Sequence, residues 1–199
     1  MKKIIITAIL MVFSTFSAKA IDLSMFSVTG GLASNNSIWS GKGEETGRGE
    51  TGTIDRKISS NGMFTESFQS QFVELGVTKW VSFGYSHTPG SISSPTNESN
   101  EKQTTSNTVQ VDFNDFDTTY IKLNIPGGVY IKVGSVSTDL DIKETMASGN
   151  TYANVSVDGD STGLGYQGFI GESGFGFRME MNYIDLDNAT TTNGVAEIG

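Results

Sequence analysis

Five charged residues fall at regular distances from glycine-containing turns. In the stretch YIKLNIPGGVYIKV, Lys122 lies four residues before Pro126 and Lys132 four residues after Gly128. Arg178 lies four residues after Gly174, Glu180 two further along, and Glu74 two before Gly76. In an extended chain, even spacings keep side chains on one face, so these offsets place the five charges in one layer near the turns. If Pro126 to Gly128 form the loop, Lys122 stands directly opposite Lys132. Opposed lysines repel, so carboxylates must sit beside them, and Glu74 and Glu180 are the nearest in register. Such a layer has two possible uses: a charged ring that selects ions, or a closed set of ion pairs that plugs an interior. The plug is the favoured reading.

The remaining motifs are weaker. GDSTG (159–163) matches the G-x-S-x-G nucleophile elbow, and GLGYQG (163–168) matches the G-x-G-x-x-G dinucleotide fingerprint. Both need a strand-to-helix turn, and both lie inside a strand pattern here. Gly163 and Gly165 fall on the row opposite Leu164 and Tyr166, where a narrow interior favours small residues. Ser86 and His87 are the one adjacent serine–histidine pair, and they keep a lipid-hydrolase alternative open. His87 is the only histidine and has no ligand partners, so no zinc site follows. The acidic sets Asp112, Asp115, Asp117 and Asp158, Asp160 lack the spacing of a calcium loop. No cofactor, metal or catalytic residue is assigned.

The elements that must position the charges are strands. Ile121, Leu123 and Ile125 alternate with polar residues, and after the turn Val129, Ile131 and Val133 do the same, which describes a hairpin of two half-buried strands. Seven strands are expected: Asp22 to Ala33, Met63 to Leu75, Lys79 to Thr88, Phe116 to Ile125, Val129 to Ile142, Asp160 to Gly171, and Phe175 to Asp187. Tight connections at Gly76–Thr78, Pro126–Gly128 and Glu172–Gly174 alternate with long polar ones at Ser34–Gly62, Gly90–Asp115 and Lys143–Gly159. Besides the hairpin rows, Val81, Phe83, Tyr85 and Phe175, Phe177, Met179, Met181, Tyr183 form apolar rows. Two features break the pattern. The apolar parity slips beyond Val133 to Val136, Leu140 and Ile142, and beyond Tyr183 to Ile184 and Leu186. Either a bulge or a strand rising out of an apolar medium would do this. Gln69 and Gln71 also fall on the same row of their strand as Val73 and Leu75, among the apolar rows.

The chain opens MKKIIITAILMVFSTFSAKA, which has the anatomy of a secretory signal peptide cleaved after Ala20, leaving Ile21 as the mature N-terminus. The leader removes three of the 13 basic residues and none of the 22 acidic ones, so the mature protein is more acidic still and unsuited to nucleic acid. There are no cysteines, which excludes disulfides and thiol chemistry. Glycine is abundant (24) and proline scarce (3), consistent with strands joined by glycine turns in a single domain, residues 21–199.

The stretches FVELGVTKWVSFGYSHTPG, YIKLNIPGGVYIKVGSV and GLGYQGFIGESGFGFRMEMNY resemble the small porin-like outer-membrane β-barrel family of Gram-negative bacteria. The likeness covers most of Phe72 to Asp187 and carries no catalytic motif. It implies an all-β, up-and-down antiparallel transmembrane barrel of about eight strands. It also implies outer-membrane lipid and the barrel assembly machinery as partners, a monomer, and a role in envelope structure, loop display or passage of small solutes. The rows Val81, Phe83; Ile121, Leu123, Ile125; Val129, Ile131, Val133; and Phe175, Phe177, Met179, Met181 would then face lipid and the lysines the lumen. A secreted lipocalin-like barrel for an apolar ligand would reverse that assignment. An even strand count needs an eighth, descending strand, which only Val195 to Ile198 could begin. Because members of this family usually end on an aromatic residue, Gly199 is expected to lie within or before that strand, with the barrel C-terminally incomplete.

Overall fold

The computed structural model describes residues 26–48, 54–99, 107–145, 151–171, 174–192 and 196–198. The leader, its cleavage site, Val195 and Gly199 lie outside the described residues. The strands, in chain order, are β1 (Ser27–Arg48), β2 (Ile54–Gly76), β3 (Val81–Thr88), β4 (Ile92–Ser93), β5 (Asn97–Ser99), β6 (Asn107–Asn124), β7 (Val129–Thr145), β8 (Val155–Phe169), β9 (Gly176–Leu186), β10 (Thr191–Thr192) and β11 (Ala196–Ile198). All eleven belong to one antiparallel sheet of order β10-β11-β1-β2-β3-β6-β7-β8-β9, with β4 and β5 paired to β6. The sheet curls into a half-barrel, and no helix occurs among the described residues.

The expected count of about eight strands is therefore too low, although each of the seven expected strands is present. The four additions are short. Three of the seven also run much longer than expected: β1 and β2 pair without interruption from Ser27↔Gly76 to Gly47↔Arg56, so the Ser34–Gly62 connection is a hairpin arm, not a loop. Likewise, β6 begins at Asn107, and β4 and β5 occupy part of the Gly90–Asp115 connection. The physical reason is that a ladder is built by backbone N–H and C=O groups, and only proline forfeits its donor. No proline lies between Ser34 and Gly62, so the polar composition there does not stop the pairing.

The tight connections all lie at one end, here the lower. In the turn after β6, Gly127 and Gly128 both adopt φ of 89°, a left-handed conformation that glycine takes without strain. That turn sets the register: Ile125 N–H donates to the Val129 carbonyl at 2.7 Å, Leu123 pairs with Ile131, and Lys122 with Lys132.

Along the strands the two faces exchange character. On the lower part of β7, Val129, Ile131 and Val133 are exposed on the convex face while Tyr130 and Lys132 are buried on the concave face. Higher on the same strand, Val136 is buried on the concave face and Asp139 is exposed on the convex one. The β7–β8 register runs unbroken from Val129↔Tyr166 to Leu140↔Val155, so the apolar slip beyond Val133 is not a bulge there. The ladder continues and the polarity inverts. β9 repeats this with an unbroken register to β8: Met179, Met181 and Tyr183 are convex below Asp185, and Arg178 and Glu180 are concave below Ile184 and Leu186. Gln69 and Gln71 are explained in the same way. Gln71 pairs with His87, which pairs with Asp117, so these residues stand on the polar convex level above the apolar one.

The upper concave face holds the apolar core. Ile92, Phe116 and Val136 are fully buried and pack with Trp39, Phe68, Phe113, Ile184 and Leu186. Trp39 stacks on Phe64 at 5.9 Å and meets Phe113 at 4.9 Å and Phe116 edge-on at 5.8 Å. Ile92 enters from the β3–β6 connection because β4 pairs with β6 through Ile92↔Phe113. Outside this core, Asp112 is buried against Lys143. Burial pushes its carboxyl pKa up, but the Lys143 ammonium and the Ser93 hydroxyl outweigh that and hold it below the usual carboxylate range.

Two expectations follow. Phe116→Ala should cost about 3–5 kcal/mol in denaturant unfolding, because it empties the centre of the aromatic cluster. A depressed carboxylate contributes stability that is complete above its unfolded pKa, about 3.9, and is lost as pH falls through the lower folded value. Acid titration of the fold below about pH 4 should therefore be less steep in Asp112→Asn than in the wild type; an unchanged profile would show that this pair carries no linkage.

Candidate functional site: a polar layer on the lower concave face

Local sequence puts two identical arms on the lower hairpin. Tyr120-x-Lys122 descends toward the turn on β6 and Tyr130-x-Lys132 leaves it on β7, with all four side chains buried on the concave face. Lys122 and Lys132 oppose each other in register, yet they part to different anions. Lys122 pairs with Glu74 of β2 and donates to Gln167 Oε1 at 3.1 Å. Lys132 pairs with Glu180 of β9 at 2.7 Å. Each ammonium also lies over the tyrosine of the other arm: Lys132 Nζ is 3.9 Å from the Tyr120 ring centre, and Lys122 Nζ is 5.2 Å from that of Tyr130. The repulsion expected of facing lysines is thus offset by two carboxylates and two ring faces.

The tyrosines complete the carboxylate shells. Tyr120 donates its hydroxyl to Glu74 Oε1 at 2.8 Å, and Tyr130 donates to Glu180 Oε2 at 2.7 Å. Their rings can lie flat because glycine stands beneath each. A Cβ on Gly84 would come within 2.2 Å of the Tyr120 ring, and one on Gly165 within 2.1 Å of the Tyr130 ring. The GLGYQG stretch is accordingly a strand that makes room for an aromatic ring, and neither it nor GDSTG leads into a helix.

Arg178 of β9 spans the concave side to Glu74 of β2. Its two terminal nitrogens donate to the two Glu74 oxygens, each at 2.8 Å, while its guanidinium lies 4.3 Å from the Phe72 ring centre. A bidentate fork of this kind fixes direction as well as charge. Glu74, 2% exposed, therefore receives Lys122 and Tyr120 from β6 and Arg178 from β9. All five charges singled out in the sequence meet in this one layer. Tyr120, Tyr130, Phe72 and Gln167 belong to it and were not singled out; the repeated Tyr-x-Lys flanking one turn was the available signal.

The apolar rows stand on the other side of the same strands. Ile121, Leu123, Ile125, Val129, Ile131, Val133, Phe175, Phe177, Met179 and Met181 are all exposed on the convex face, and Val81 and Phe83 are half-exposed there. The reversed assignment, aliphatic residues in and lysines out, is overturned. Ser86 and His87, as neighbours in β3, point to opposite faces, so the serine cannot reach the imidazole. His87 Nδ1 is instead 2.7 Å from Asp117 Oδ1, which also accepts the Tyr85 hydroxyl at 2.8 Å. Among the described residues no group of acidic and imidazole side chains could hold a metal ion.

No family model, no curated protein and no solved structure matches this chain. The geometry alone makes the layer a cross-link. It ties β2, β6, β7 and β9 together through the interior and leaves no carboxylate or ammonium of the five unpaired.

The expected order of damage is specific. Glu74→Ala strands Lys122 and Arg178 together and should cost about 3–5 kcal/mol in denaturant unfolding. Arg178→Ala leaves Glu74 with Lys122 and Tyr120 and should cost less, at most about 3 kcal/mol. Equal losses would contradict the central place of Glu74.

Proposed function

We propose that this protein is a membrane-inserted β-barrel protein of the outer-membrane, porin-like type, with its lower convex band in lipid and its upper part in water. It works as an envelope structural and surface-displaying protein whose interior is plugged. The observation that carries this reading is the inversion of polarity along β7 and β9, whose registers to β8 run unbroken through it. A soluble sheet buries its apolar face at every level, whereas a membrane barrel turns apolar residues outward only where lipid replaces water. Trp80, Phe169 and Phe175 at the lower end, and Tyr85 and Tyr183 below the aspartates, are exposed aromatics of the kind that settle at bilayer interfaces. The plug reading rests on the paired charges below and the aromatic cluster above, which fill the concave side at both levels.

The test is a substitution that water would tolerate. Ile131 is 39% exposed, so in a soluble protein Ile131→Arg should change stability by no more than about 0.5 kcal/mol. In a lipid-embedded band it should cost about 2–4 kcal/mol when unfolding is measured in phospholipid vesicles. Asp160→Arg, on the convex face above the band, should be near neutral in either case. Ile131→Arg matching Asp160→Arg, together with recovery of the protein outside the membrane fraction, would reject the proposal. Planar-bilayer recordings should show no steady conductance; open channels would replace the plug with an ion-selecting ring.

A further inference from the structure

The half-barrel has two free edges that confront each other. Among the described residues, β9 pairs with β8 alone, and β1 from Ser27 to Glu44 pairs with β2 alone. The Arg178–Glu74 fork joins β9 to β2, the neighbour of β1, so the curl has brought both edges to the two sides of one seam. The edges cannot zip together as antiparallel partners. Both strands climb from the lower turns, β1 from Ser27 opposite Gly76 and β9 from Gly176 opposite Phe169, so they run in the same direction. One strand descending between them would be antiparallel to both. The start of such a ladder exists: β11 pairs antiparallel with β1 through Gly47↔Ala196, Thr46↔Glu197 and Glu45↔Ile198, heading down the free edge.

We propose that the seam between β1 and β9 is a strand-acceptor site, occupied by one extended polypeptide segment that prolongs the β11 ladder downward. Its chemistry is set by its neighbours. Convex positions, flanked by Leu32 on β1 and Met179 and Met181 on β9, call for apolar side chains. Concave positions, beside Gly31 and Arg178, call for small or uncharged ones, because the Arg178 guanidinium is already taken by Glu74. Unpaired backbone groups on two long edges are a ready template for a further strand, and wherever water is excluded each one left unpaired is costly, which supplies the affinity. Recognition is by main-chain hydrogen bonds along both edges, with side-chain parity as the filter. This site depends on sheet topology and not on where the convex band resides, so it stands or falls apart from the membrane reading.

The chain contains no cysteine, so single cysteines report neighbours without background. The full chain carrying Leu32→Cys, Met181→Cys or, as an interior control on β2, Gln69→Cys would be refolded in dodecyl maltoside micelles. Circular dichroism would verify the strand content of each. Each would be mixed under mild oxidation with a synthetic peptide of about ten residues, enough for one strand, alternating valine and threonine. The peptide carries one cysteine, placed in turn at each valine position. The expected result is disulfide formation with both Leu32→Cys and Met181→Cys, saturating at one peptide per chain, and none with Gln69→Cys. Moving the peptide cysteine to threonine positions, which turns it to the concave face, should abolish both. Capture at one edge only, two peptides per chain, or disulfides between two copies of the chain in preference to peptide would each overturn the proposal. The first two outcomes mean independent edges, and the third means that a second copy fills the seam.

Discussion

Glu74, on β2, accepts an ammonium and a phenol from β6 and a guanidinium from β9, and the curvature of the sheet depends on it. Backbone ladders join only adjacent strands; they fix order and register but leave a sheet free to open. The Arg178–Glu74 fork is the contact that reaches from β9 to β2 through the interior. It is buried, so neither charge can exchange its partner for water without loss, and it is bidentate, so it defines a direction. The hairpin between β6 and β7 supplies the rest of the shell, with Lys122 and Tyr120 on Glu74 and the mirrored Lys132 and Tyr130 on Glu180.

How such a layer tolerates burial follows from its stoichiometry. Three cations meet two carboxylates, which leaves an excess positive charge that ion pairing alone does not neutralise. Three rings take up part of that excess through four contacts: Tyr120 and Tyr130 under the lysines, and Phe72 and Tyr130 beside Arg178. Ring faces are electron-rich without being charged, so they stabilise cations while costing little to desolvate. The glycines beneath the tyrosines are part of the same device, because a side chain at Gly84 or Gly165 would displace the ring and with it the hydroxyl that caps a carboxylate.

The layer was legible in the sequence because turns fix parity. Counting from Pro126–Gly128 and Gly174 puts Lys122, Lys132, Arg178 and Glu180 on one face, and counting back from Gly76 adds Glu74; no packing knowledge is needed. Lys122 opposite Lys132 follows from loop length alone. What parity cannot give is which side is concave, since alternation is symmetric under exchange of faces; only the burial of Tyr120 and Tyr130 resolves it. Strand length was the poorest reading. The β1–β2 arms above Ser34 are mostly polar, with Ile38, Trp39, Ile54, Ile58, Met63, Phe64 and Phe68 the large apolar residues, so a search for regular alternation ends there while the ladder goes on. The curl and the open edges were expected only from the family resemblance and the odd strand count, and alternation does not show them, because curvature arises from side chains meeting across the interior between strands far apart in sequence.

The inversion of polarity gives the apparent irregularities one cause. Val136, Leu140 and Ile142 on β7, and Ile184 and Leu186 on β9, read as slips only if one rule governs a whole strand. Two rules govern these strands. Below, the interior is polar and must be satisfied by its own ion pairs, because the exterior is apolar; above, Phe116, Val136 and Trp39 form an ordinary apolar core, because the exterior carries Asp139, Asp160 and Asp185. The change occurs on β2, β3, β6, β7 and β9 within a few residues along the paired ladder, where Gln71, His87 and Asp117 share one register row. Adjacent strands switching together is what a single external boundary requires, since a switch driven by local packing would have no reason to follow the register from strand to strand. On the membrane reading, that boundary is the edge of the bilayer, and the Glu74 layer lies below it because ion pairs must close the interior wherever apolar side chains are drawn outward.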